Sequence, residues 1–139
     1  PQLPVFQDMT QDLTWRLHEK AYLNAYTYYK IERYDSAIIA FRNALKKYPD
    51  SHRREDIMYY IALSAYQFAD NSVASKQSDR FMTALDSYYS FVMEYPESKY
   101  RAELDKLAEN AKRYIEKNKG EQVEDGNVAD AAAIRGVAQ

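Results

Sequence analysis

A segment of this chain repeats itself forty-seven residues further on. Tyr34, Ala37, Phe41, Ala44, Tyr48, Pro49 and Ser51 follow the pattern Y-x-x-A-x-x-x-F-x-x-A-x-x-x-Y-P-x-S. Phe81, Ala84, Tyr88, Phe91, Tyr95, Pro96 and Ser98 repeat it, with Phe, Tyr and Phe in place of Tyr34, Phe41 and Ala44. Small and aromatic residues at this spacing, ending in Pro, mark the second helix of a helix-turn-helix repeat. One such unit cannot bury its apolar face alone, so units stack, and a stack presents a surface to other proteins. The repeat therefore points to binding before it points to chemistry.

Composition narrows the choice. With 139 residues there is room for one domain and a modest core. Only three Gly and four Pro argue against a sandwich or barrel, which need many turns. A net charge of −2 gives no reason to expect nucleic acid or anionic lipid as a partner. The fourteen Tyr supply apolar bodies with polar tips, which suit an interface. Cysteine is absent, which excludes disulfides and thiolate metal sites. His18 and His52 stand far apart in sequence with no second ligand one turn away, so neither metal nor cofactor is expected. Neither a Gly-rich phosphate loop nor a nucleophile elbow is present, and no enzyme is expected. No apolar run approaches the length of a membrane span.

Periodicity predicts five helices. Leu13, Leu17, Ala21, Ala25 and Tyr28 form one face of a first helix from about Asp12 to Glu32. Asp35 and Ser36 suit the start of a second, with Ala37, Ile38, Phe41, Ala44, Leu45 and Tyr48 inward. Pro49 stops it. Ser51 suits the start of a third helix, about 52–69, with Ile57, Met58, Ile61, Ala65 and Phe68 inward. The polar stretch 70–78 reads as a loop extension, and a fourth helix follows over about 79–95. Ser98 opens a fifth, with Tyr100, Leu104, Leu107, Ala108, Ala111, Tyr114 and Ile115 inward and a charged outer face. These elements divide the chain into an irregular lead-in over 1–11, a repeat domain over 12–119, and a linker and flexible tail over 120–139.

The pattern resembles the tetratricopeptide repeat. That unit needs a small residue where its paired helices cross, because a large one would push the axes beyond about 8–10 Å. Ala25, Tyr28, Tyr34, Ala37, Phe41, Ala44 and Pro49 supply its positions in order, and Ala62, Phe81, Ala84, Tyr88 and Pro96 do so again. The first helices are offset by thirty-seven residues and the second by forty-seven, so the second unit carries a ten-residue insertion between its helices. Ala65 and Phe91 depart from the pattern. The predicted fold is all-α: a tetratricopeptide-repeat solenoid of two helix hairpins plus a C-terminal capping helix.

Longer runs carry a closer likeness. Tyr22 to Tyr34, Ala37 to Ser51, Met58 to Tyr66, the insertion 71–76, Tyr88 to Phe91 and Tyr95 to Tyr100 resemble the BamD family. These are the tetratricopeptide lipoproteins of the outer-membrane β-barrel assembly machine. The likeness covers roughly Trp15 to Asn118. It implies a protein on the periplasmic side of the bacterial outer membrane. The implied partners are BamA-like periplasmic domains and unfolded barrel precursors. The family is anchored through an N-terminal lipidated Cys, and this chain has none, so it reads as the C-terminal half of such a protein.

In a stack of this kind the first-helix face commonly meets the partner. Its positions here are Glu19, Tyr22, Tyr26, Tyr29 and Lys30 in unit one, and Asp56, Tyr59, Leu63, Tyr66 and Gln67 in unit two. Tyr22, Tyr26, Tyr29, Lys30, Tyr59 and Tyr66 are the candidate contact residues, against the alternative that half the tyrosines pack between helices. Arg53, Arg54 and Glu55 read as a solvated turn. A rival reading is a tetratricopeptide adaptor of another envelope or cytoplasmic complex; another is a regulatory domain cut from an enzyme.

Overall fold

The computed structural model describes the backbone of residues 3–137 and the side chains of 9–119. It contains α1 (Leu3–Lys30), α2 (Tyr34–Lys47), α3 (Arg54–Asp70), α4 (Ala74–Glu94) and α5 (Arg101–Val137), and no strand among the described residues. α1 pairs with α2, α3 pairs with α4, α2 lies against α3, and α5 closes on α4 and the edge of α3. The fold is all-α, with tetratricopeptide-like helical hairpins, as the repeat predicts.

The small residues sit where the helices cross. Ala25 and Ala37 are both 0 % exposed, and Ala62 and Ala84 are buried at the second crossing. Phe41 packs in one core cluster with Ala25 and Ala37, and Phe91 in a second with Ala62. α3 is the middle rod. Met58, Tyr59, Ile61, Ala62, Leu63 and Ala65 are all buried, so it meets neighbours on several sides instead of along one stripe.

α1 departs from its predicted packing. Leu13, Leu17 and Tyr28 are exposed; Ala25 is buried as expected, and His18 and Tyr22 also turn to the core. The reason is positional: among the described residues α1 touches α2 and α3 and no other helix. The side bearing Leu13, Leu17 and Tyr28 has no described element over it.

The connector after α1 manages without glycine. Glu32 adopts φ 62°, the left-handed conformation, and its N–H donates to the Tyr29 carbonyl at 3.0 Å. The Arg33 N–H donates to the Tyr28 carbonyl at 3.0 Å. These two bonds form a Schellman motif with Glu32 at the position usually held by Gly. α2 then begins at Tyr34, so Asp35 and Ser36 lie inside its first turn and do not cap it. Asp35 instead faces the positive end of the helix dipole.

The insertion is helix, not loop. α3 runs three residues past the position equivalent to the end of α1, and α4 starts seven before the position equivalent to the start of α2. Both connectors keep three residues. Stretch 70–78 contains neither Gly nor Pro, and Ala74, Lys76 and Gln77 favour helix. Side chains secure the extension. Arg80 lies 4.2 Å over the Phe68 ring and donates to Ser72 Oγ at 2.5 Å. The Tyr114 hydroxyl of α5 donates to Gln77 Oε1 at 2.5 Å.

The ends also differ from expectation. α1 is helical from Leu3, where a loose lead-in was predicted, and α5 continues to Val137, where a linker and tail were predicted. Gly120 and Gly126 each disfavour helix by about 1 kcal/mol relative to Ala, and the helix continues through both. The side chains of 1–8 and 120–139 lie outside the described residues.

Candidate partner-binding face

The first-helix positions converge on a ladder of aromatic rings. Tyr22 stacks on Tyr26 at 5.9 Å, and Tyr26 on Tyr29 at 6.0 Å. Tyr60 of α3 then meets Tyr26 at 5.3 Å, Tyr29 at 5.0 Å and Tyr59 at 4.9 Å. Tyr59 stacks on Tyr100 at 3.9 Å. Tyr60 also lies flat on Phe41 at 5.6 Å, which joins the ladder to the core. Tyr60 was not among the candidates, because a tyrosine next to Tyr59 falls on another side of a regular helix. It reaches the ladder because α3 is enclosed by neighbours on several sides.

The structure separates the six candidates into three groups. Tyr22 and Tyr59 are buried, so they are core residues and not a contact surface of this chain. Leu63, read as exposed, is buried too. For the two tyrosines the cover comes from the next unit. Arg53 lies 4.4 Å over the Tyr22 ring, and Tyr100 covers Tyr59. Tyr26 and Tyr29 are half-buried, and Lys30 is exposed with Nζ 5.8 Å over Tyr26. Tyr66 stands apart, half-buried against Phe81 at 5.5 Å in a separate cluster with Tyr114. The surface left on the ladder is therefore Tyr26, Tyr29 and Lys30, with exposed Glu103 at its edge.

A polar seam locks the units beneath that surface. Glu19 Oε1 accepts from Arg53 Nε at 2.5 Å, and Oε2 accepts from Nη2 at 3.2 Å. Arg53 Nη1 donates to Asp56 Oδ2 at 3.1 Å, and the Tyr100 hydroxyl donates to Asp56 Oδ1 at 2.5 Å. By the two sequence offsets, Glu19 matches Asp56, Tyr22 matches Tyr59, and Arg53 matches Tyr100. A guanidinium at one junction and a phenol at the next thus make the same two contacts. The Glu19 carboxyl is held below its ordinary value by the Arg53 hydrogen bonds. The Tyr22 and Tyr59 phenols are pushed up, mainly by burial, and stay neutral donors. The Tyr59 hydroxyl donates a hydrogen bond to the Glu103 carboxylate at 2.9 Å.

The run 53–55 is not a solvated turn. Arg54 pairs with Glu94 at the end of α4, and Glu55 Oε1 accepts from Ser98 Oγ at 2.6 Å. Arg53 and Glu55 tie one unit to the next, and Arg54 joins the two helices of the second hairpin while its Nη1 donates to the Pro49 carbonyl.

A groove of about 460 Å³ runs along the open side of the first hairpin, lined by Asn24 and Tyr28 of α1 and Ile39 and Asn43 of α2, among others. The equivalent groove of the second hairpin, with Ile61, Asp86 and Ser90, also has Arg42 and Leu45 of α2 in its lining.

A family model described as YfiO, outer membrane lipoprotein, matches residues 14–119. The chain belongs to the YfiO family of outer membrane lipoproteins. The YfiO match takes in α2, α3 and α4 whole, together with every residue of the tyrosine ladder and the polar seam. No curated protein matches the chain. The helices of this YfiO-family chain include none long and apolar enough to cross a membrane, among the described residues.

Proposed function

We propose that the chain is a BamD-like scaffold of the outer-membrane β-barrel assembly machinery. It binds BamA-like periplasmic domains and barrel precursors and catalyses no reaction. Its place is the periplasmic side of the outer membrane, where a lipid anchor elsewhere in the protein would hold it. The observation that carries this reading is the YfiO match over 14–119, an outer membrane lipoprotein family. The geometry supports it. A stack pinned at both junctions by side-chain hydrogen bonds and packed rings is rigid, so little ordering is needed on binding. Tyr26 and Tyr29 keep part of their rings on the surface beside Lys30, and rigid aromatic rings with a nearby cation suit an interface.

The test is capture of a BamA periplasmic region by the purified chain. Tyr26→Ala combined with Tyr29→Ala is expected to weaken capture while the helical circular dichroism signal stays unchanged. Equal capture by variant and parent would remove this face as the site. Failure of the parent to capture any BamA region would remove the assembly reading itself.

A further inference from the structure

A titratable cluster joins α1 to the α2–α3 turn. Trp15, the one tryptophan in the chain, lies parallel to His52, with ring centroids 5.0 Å apart and an interplanar angle of 5°. His52 Nε2 is 2.7 Å from Glu19 Oε1, the oxygen that also accepts from Arg53 Nε. His18 is buried beside them, its ring 4.6 Å from Tyr48 and 6.0 Å from His52. Tyr48 follows the last residue of α2, so the part of α1 before His18 runs on past its own hairpin partner. The Trp15 and Glu19 contacts with His52 tie the root of that overhang to the next unit.

We propose that His52 is a pH-responsive latch between α1 and the α2–α3 turn, closed more tightly when its ring is protonated. Imidazole is the side chain that ordinarily changes charge between about pH 5 and 8. Glu19 stays a carboxylate across that interval, because Arg53 holds it ionised. When His52 carries its second proton both ring nitrogens are donors. Nε2 then meets the Glu19 carboxylate as a cation, so ion-pair attraction adds to the hydrogen bond. The imidazolium also rests on the indole face of Trp15, an attraction that the neutral ring lacks. The groups around His52 set the balance. Glu19 on α1 favours the cation, and so does Asp56 on α3, through Arg53. Arg53 on the turn and His18 on α1 oppose it by charge or potential charge; Tyr48 at the end of α2 adds only a ring against His18. The inference does not depend on which partner the stack binds.

Trp15 provides the readout, since a stacked imidazolium quenches indole emission more than a neutral imidazole does. Emission of the full chain is expected to fall through one transition as pH is lowered from about 8 to about 5. His52→Gln should abolish the transition, with circular dichroism showing the helices intact. His18→Gln should keep it. Glu19→Gln should move the midpoint to lower pH, because the carboxylate that favours the cation is gone. The latch is overturned if the parent shows no transition, or if the transition survives in His52→Gln. Should His18→Gln fail to fold, proton NMR of the His52 ring decides: equal midpoints in parent and Glu19→Gln would overturn the coupling to Glu19.

Discussion

Arg54 and Arg101 make the same hydrogen bond forty-seven residues apart: each Nη1 donates to the carbonyl of the proline five residues before it, at 2.8 Å in both cases. Ser51 and Ser98 complete the likeness, for each Oγ accepts the N–H two residues on at 3.1 Å. The Y-P-x-S sequence is thus the visible part of a longer turn whose arginine closes it. The proline ends one helix, the serine satisfies an orphan N–H before the next, and the arginine ties the two sides.

Removing the serine oxygen should therefore weaken the turn. Ser51→Ala is expected to cost about 1 kcal/mol, the usual value of such a bond at a helix start. Ser98→Ala should cost more, because Ser98 Oγ also donates to Glu55 across the junction. Urea unfolding of both variants measures the difference. A smaller loss for Ser98→Ala than for Ser51→Ala would show that the bond to Glu55 adds nothing.

Glu32 gives a prediction of opposite sign. Its left-handed backbone costs a residue with a Cβ roughly 1–2 kcal/mol. Glycine removes that strain but loses more freedom on folding. Glu32→Gly is expected to stabilise the chain by roughly 0.5–1 kcal/mol net. A melting temperature equal to or below that of the parent would mean that the side chain of Glu32 contributes as much as its backbone costs.

These two turns show what could be read from the sequence and what could not. The small–aromatic spacing predicted both crossings, because Ala25, Ala37, Ala62 and Ala84 occupy positions that only small residues fit. The stripe on α2 was legible for the same reason, since a helix with one covered side shows one apolar face. α3 was legible only in part. It is covered on several sides, so its burial has no single period, and Tyr60 could not be told from a surface tyrosine. The stripe Leu13, Leu17 and Tyr28 has the pattern of a buried face but lies open, because periodicity says which side is apolar and not what covers it. The face positions Tyr22 and Tyr59 were misread as surface for a related reason. Their covers, Arg53 and Tyr100, arrive from the following unit, and only the paired offsets of thirty-seven and forty-seven bring them into register. The insertion was misjudged because polarity suggested a loop, whereas the lack of Gly and Pro decided for helix.

The crossings themselves can be tested by overfilling. Ala25 and Ala37 have no exposed surface, and both lie in the cluster that contains Tyr22, Phe41 and Ile57. Ala25→Leu or Ala37→Leu must push the paired helices apart, and each is expected to cost roughly 1–3 kcal/mol by overpacking. Unchanged thermal melting in both variants would show that the two helices do not meet there.

Acid should loosen the junctions before it attacks the core. Glu19 and Glu94 are both held below the ordinary carboxylate value, first by hydrogen bonds from Arg53 and Arg54 respectively. A carboxyl depressed on folding adds stability that is fully present above its unfolded value, about 4.3 for Glu, and is lost as pH falls through the folded value. Stability should therefore hold down to about pH 5 and then decline. The two pairs are not equal. The Glu19 side chain is 13 % exposed and that of Glu94 is 36 %, so solvent screens the second pair more. Glu19→Gln is expected to lower stability at pH 7 and to flatten the decline below about pH 4.5, and Glu94→Gln should do both to a smaller extent. Urea unfolding at several pH values from neutral to acid follows both variants against the parent. An acid decline as steep in Glu19→Gln as in the parent would place the responsible carboxylates elsewhere in the chain.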